Sequence, residues 1–191
     1  MTYETIVIST DLAGNPHVAP FGVRQEADLV VISPYKPSTT LNNILATGHA
    51  VMNMIDDVRV FAGTLTGRQP WTLTQANRIK GYRLADSLAH TELKLIEMRD
   101  DAVRPQLVMQ KIETQNHRPF SGFNRAQAAV IELAVLASRL QMLPREKIQT
   151  EMQYLQIAID KTAGEREKQA WGWLVEKIDN FYAEQLGENQ A

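Results

Sequence analysis

Near residue 120 the spacing of apolar residues changes, and this change limits the fold more than any other feature of the chain. Before it, β-branched runs alternate with turn residues: "ETIVIST", "LAGNP", "HVAPFGVRQ" and "ADLVVISP" read as a β-meander. Gly14 supplies the positive φ that the turn over residues 11–16 needs, and Pro16 limits its exit. Three later stretches, "HAVMNMI", "AHTELKLIEMR" and "PQLVMQKIETQ", read as further strands, the last two with the period of half-buried ones. Residues 57–88 are the least legible, and "VRVFAGTLTG" within them fits part helix and part strand.

Beyond Phe123 the period is helical. Asn124 predicts the N-cap of a helix to about Leu143, with Val130, Leu133, Ala134, Ala137 and Leu140 on its buried face. After Pro144 a second helix carries the stripe Ile148, Met152, Leu155, Ile159, and Gly164 stands where its C-terminal cap belongs. A third begins at Glu165, with Trp171, Leu174, Val175, Ile178, Phe181 and Tyr182 on one face, and a polar tail from Gly187 is expected to fray. Three short-linked helices form a helical subdomain over residues 121–191, behind a β domain over residues 1–120.

Composition narrows the function. A chain of 191 residues, 44% hydrophobic, can bury a full core. Its net charge of −2 and lack of a Lys/Arg run argue against nucleic acid as a partner. Without cysteine there is no disulfide, no thiol redox chemistry and no thiolate metal site, so any redox role needs a cofactor. The start "MTYETIVIST" has no basic leader, and the most apolar stretch, "AAVIELAVLASRL", is broken by Glu132, which predicts a cytoplasmic protein without a membrane span. His17, His49, His90 and His117 stand apart in sequence, with no HxxxH or HxH spacing, so no metal site is expected. Asp56, Asp57, Asp100 and Asp101 read as turn and cap residues rather than a catalytic pair. No GxGxxG follows a strand, which excludes a built-in Rossmann nucleotide site.

The stretch "SPYKPSTTLNNILATGHAVMNM" is the richest in candidate chemistry. One reading of Ser38, Thr39 and Thr40 is an over-provided helix N-cap. The other is an anion site, in which helix amides, the macrodipole and hydroxyl donors meet a phosphate, with Lys36 balancing charge. Asn43 lies in the helix's first turns, and Asn53, inside an apolar strand, needs a partner that a heterocycle or a backbone carbonyl could provide. In "NHRPFSGFNR", Arg118 or Arg125 either belongs to a linker or reaches a ligand phosphate or an anionic substrate.

"HVAPFGV" followed by "SPYKPSTTLNNILATGHAVMNM" resembles the flavin-reductase-like FMN-binding split barrels. With "DDVRVF", "FNRAQAAVIELAVLASRL" and "KTAGEREKQAWGWLVEKI", the resemblance extends to one family of that superfamily. In it a split barrel carries a C-terminal helical subdomain, and its members occur in microbes that use tetrahydromethanopterin. The resemblance implies an α+β fold, an antiparallel split β-barrel followed by three helices. It implies FMN, with phosphate at Ser38, Thr39 and Thr40, and Asn43 near the phosphate or ribityl chain. Pro20, Phe21 and Gly22, after Ala19, would lie along the isoalloxazine, with Asn53 as a further polar contact. Many flavin reductases place Arg in the phosphate turn; here only Lys36 is offered, a point charge rather than a bidentate fork. A homodimer with FMN at the subunit interface is implied. So is electron transfer from a reduced donor to a small acceptor, in or near one-carbon metabolism; a non-catalytic FMN- or phospholigand-binding module, or an assembly partner, is the alternative.

Overall fold

A computed structural model of the chain describes residues 1–68 and 71–188, the side chains of 186–188 excepted. β1 (Thr2–Thr10) and β2 (Pro16–Glu26) form a hairpin. Its turn is held by Asp11, whose carboxylate accepts the backbone N–H and the side-chain amide of Asn15, both at 2.8 Å. Gly14 takes φ 87°, a region costly for any residue with a Cβ. β3 (Leu29–Ile32) follows, then helix α1 (Thr39–Thr47), β4 (His49–Met54), helix α2 (Arg59–Leu65) and a small hairpin of β5 (Leu73–Gln75) and β6 (Tyr82–Leu84). The long strands β7 (Ala89–Arg99) and β8 (Gln106–Asn116) complete a six-stranded antiparallel barrel, closed in the order β1-β2-β3-β8-β7-β4.

The period of two drives this closure. Val7, Val23, Val30, Ile32, Ala50, Leu93, Leu107 and Met109 form one buried cluster, which α1 joins through Leu41 and Ile44. Ile6 and Ile8, the residues flanking Val7, are also buried, so β1 is covered on both faces. This explains its unbroken apolar run, since a strand packed on two sides loses the polar alternation of a half-solvated one. β6 lies against both β1 and β4 on the outer side.

By contact, the chain divides into two compact units, with boundaries after Asp56, between α2 and β5, and after Phe120. The first holds the barrel, α1 and the β5–β6 hairpin. The second holds α2 with α3 (Arg125–Ala137), α4 (Arg145–Thr162) and α5 (Glu165–Glu188). α2 is the element that sequence left undecided. Its Val60, Gly63 and Thr64 are poor helix formers, and it is held by packing against α3 and α5 that buries Val60, Phe61 and Ala62. Asn124 caps α3 as expected, accepting from the amides of Ala126 and Gln127, and all five expected core positions of that helix pattern are buried.

Two expectations about the helices need correction. The first helix ends at Ala137 rather than near Leu143: Ser138 Oγ donates to Val135 O and the Arg139 amide to Leu136 O, tightening the last turn. Gly164 does not cap α4, whose C-cap is Ala163 in extended conformation. It opens α5 instead, donating its N–H to Glu167 Oε2 at 3.0 Å, half of a capping-box arrangement. α5 runs through Gly187 to Glu188, and the rest of the expected polar tail lies outside the described residues. Among the described residues no helix is long and apolar enough to cross a membrane.

Candidate functional site

At the start of α1, Ser38 is the N-cap, with φ −148° and ψ 127°, and its Oγ accepts the Leu41 amide at 3.2 Å. One hydroxyl thus does the capping. Thr40 is buried and Thr39 is exposed, so the three hydroxyls occupy different environments. Helix geometry leaves the amides of Thr39 and Thr40 without intrahelical acceptors, and the first turn holds no acidic side chain to occupy them. Asn43 is buried and donates through Nδ2 to Ser9 Oγ on β1 at 3.2 Å, tying the helix to the barrel.

Lys36 lies beside this turn but faces elsewhere: its Nζ donates to Asp100 Oδ1 at 3.1 Å and Asp101 O at 2.8 Å in the β7–β8 loop. Asp101 in turn accepts the amides of Val103 and Arg104. Arg118 also has partners at hand, Asp56 Oδ1 at 3.0 Å and Asp86 O at 2.6 Å. Asn53 has zero exposure, donates to Ile6 O and Val51 O, and accepts the Leu84 amide at 2.8 Å. Its amide therefore welds β1, β4 and β6, the backbone alternative that its sequence position left open.

On β2, Pro20, Phe21 and Gly22 are paired with β1 at Ile6, Thr5 and Glu4. Phe21 packs on the barrel core while its neighbours point to the other face, so the three cannot present side chains to one ligand together. A Cβ at Gly22 would stand 3.1 Å from Glu4 Oε1 and 3.3 Å from Thr2 Cγ2, which explains glycine there. The pairing of β2 with β3 covers only Arg24–Glu26. Among the described residues no strand pairs with the remaining outer edge of β2, from Pro16 to Val23. That edge offers backbone donors and acceptors beside the ring-contact candidates.

Strand registers place Pro20, Ile6, Asn53, His90 and Gln115 in one row across β2, β1, β4, β7 and β8. His90 and Glu92 share this outer face, both with zero exposure, and neither was singled out from sequence as a site residue. Two of the histidines that stand apart in sequence meet in space, because the pairing of β7 with β8 brings the residue after β8 beside β7. His90 Nδ1 lies 2.8 Å from His117 Nε2, with the rings parallel within 5°. The Glu92 carboxylate accepts the amides of Asn77, Arg78 and Ile79 at 2.6, 2.8 and 2.9 Å and faces His90 Nε2 at 3.4 Å. Burial pushes its carboxyl pKa up, but the amides of Asn77 and Arg78, His90 and the Ile79 amide outweigh this and hold it below the ordinary value. Burial first, then the charge of Arg83 and the His90 ring, hold His117 below the usual imidazole range. The available signal was His-x-Glu on one strand, which puts both side chains on one face.

A closed six-stranded barrel with a hydroxyl-started helix packed on its core is the flavin-reductase-like split barrel, and solved structures share it. An FMN-bound protein, MM1853 from Methanosarcina mazei, aligns with TM-score 0.80 and 20% identity over 92% of this chain and 94% of that one. A Shewanella frigidimarina protein with a split barrel domain aligns with TM-score 0.56 and 15% identity, over 66% and 75%. The 2-nitrobenzoate 2-nitroreductase of Pseudomonas fluorescens aligns with TM-score 0.52 and 23% identity, over 60% and 64%. No curated protein matches the sequence. The chain belongs to the DUF447 family, described as protein of unknown function: the family's N-terminal domain matches residues 3–118 and its second part residues 124–176.

Proposed function

We propose that the protein binds FMN and acts as a flavoprotein oxidoreductase, moving electrons from a reduced donor to a small acceptor. The observation that carries this is the start of α1, where the Thr39 and Thr40 amides, which have no intrahelical acceptors, and the exposed Thr39 hydroxyl meet no acidic side chain. Such a donor set fits a phosphate. The FMN-bound Methanosarcina protein supports the choice of ligand, being alike over nearly the whole of both chains. FMN supplies two-electron chemistry that no side chain of a cysteine-free protein provides. The chain's own part is to bind and orient it: Thr39 and Thr40 at the phosphate, Asn43 holding α1 against β1, and the β2 edge with Pro20, Phe21 and Gly22 along the ring. Lys36, Asn53 and Arg118 would act through their present partners unless these are released. The tetrahydromethanopterin link rests on the family resemblance.

Thr39→Asp tests the phosphate assignment. An exposed aspartate at a helix start favours the helix dipole, adding about 0.3–1 kcal/mol, so folding is kept. FMN affinity, read by flavin fluorescence titration, is expected to fall by at least about a hundredfold through charge repulsion and loss of a hydroxyl. Unchanged affinity would move the phosphate elsewhere. The unpaired β2 edge supports a homodimer in which a second copy encloses the ring. Sedimentation equilibrium should then give twice the 21.5 kDa chain mass, and a monomer at micromolar concentration would overturn the dimer.

A further inference from the structure

We propose that Glu92, His90 and His117 form a proton relay whose outer member, His117, exchanges protons with a ligand in the cleft beside it. The cleft has a volume of about 610 Å³; Met54, Leu88, Ala89, Pro119 and Phe120 give it apolar walls, and His117 stands in its lining between Asn116 and Arg118. It suits a flat molecule with an oxygen or nitrogen that changes protonation.

The order of protons follows from the partners. A carboxylate accepting three backbone amides has only acceptor capacity left for His90, so His90 Nε2 carries the hydrogen that faces it. Neutral His90 then accepts at Nδ1, and His117 must donate from Nε2. His117 Nδ1 is the nitrogen left to exchange. A proton taken there lets the Nε2 proton move to His90 Nδ1, and the resulting imidazolium lies between His117 and the Glu92 carboxylate. Release runs the same steps backwards, so atoms and charge balance with one proton in and one out.

The surroundings bias this exchange without breaking it. The charge of Arg83, on β6, disfavours a cation at His117. Arg78 pairs with Glu113 at 3.8 Å, Asn77 bridges Glu113 and Gln115, and Arg118 is held by Asp56. Glu92 is therefore the anion in contact with His90. The buried His90 and Glu92 need such satisfaction to be kept, and His117, which lines the cleft, connects them to it.

The test uses the full chain without flavin, so it is independent of the FMN reading, which the titration above decides. With ¹⁵N-labelled histidine, lowering the pH from about 8 to about 5 should move the His117 and His90 Nδ1 resonances with one shared midpoint. A His90 resonance that stays still while His117 titrates would overturn the relay, and this needs no variant. Glu92→Gln should lower the shared midpoint by about one unit, a tenfold loss in proton affinity, and an unchanged midpoint would equally overturn it. For the cleft, p-nitrophenol is the probe: with its O–H donated to neutral His117, binding should raise its apparent pKa by about one unit, and His117→Gln should change this shift. Failure to bind, or binding with no His117-dependent shift, would overturn the exchange site.

Discussion

Asn53→Leu is expected to lower the free energy of unfolding by about 3–5 kcal/mol, although leucine keeps the branching of asparagine and the site has zero exposure. Hydrophobicity alone would favour the change. The cost comes from what remains: the Leu84 amide loses its acceptor at 2.8 Å, and Ile6 O and Val51 O lose donors, all in a place closed to water. Each orphaned group costs about 1–3 kcal/mol. Urea unfolding should show a lower midpoint at unchanged slope. A loss below about 1 kcal/mol would mean that β6 shifts and finds another acceptor, and that the row from Pro20 to Gln115 does not depend on this amide.

Glu92→Ala should cost a similar amount, about 3–5 kcal/mol, since it strips the acceptor from three backbone amides and from His90 at once. It also predicts a pH signature. The folded carboxyl ionises below its ordinary 4.5, so between the two values the unfolded chain binds more protons than the folded one. The stabilisation is therefore fully present above about pH 4.5 and is lost as the pH falls through the lowered folded value. Thermal unfolding between about pH 3 and 7 should show a steeper acid loss in wild type than in Glu92→Ala. Parallel curves would assign the acid sensitivity to other carboxylates.

Where one side of an element faces water, sequence was informative. The stripe Val130, Leu133, Ala134, Ala137, Leu140 reports a single buried face, whereas the alternation in β7 and β8, read as half-buried, hides the two-sided burial of Ala89–Leu93 and of Leu107–Met109. Sequence was silent where a second layer covers the first. His90 and Glu92 occupy the polar phase of β7, which reads as solvent-facing, and only the residues 77–79 folded over them make that face interior. α2 failed for the converse reason: its β-branched residues state a local preference that burial against α3 and α5 overrides. In the α1 turn, residue types do not reveal where a cation points, and Lys36 is spent on the β7–β8 loop. The helix cap itself was legible because Ser38 acts within three residues of its partner.

The place of α2 bears on inheritance. It interrupts the barrel's sequence between β4 and β5 yet belongs to the helical unit, where Val60, Phe61 and Ala62 are covered. The two matched family regions, 3–118 and 124–176, look on paper like cassettes that recombination could exchange. They are not. A gene ending after residue 120 would encode a barrel trailing an uncovered apolar helix, a liability for aggregation, and the C-terminal half alone would lack a wall of its own core. Exchanging one matched region without the other would part α2 from the helices that cover it.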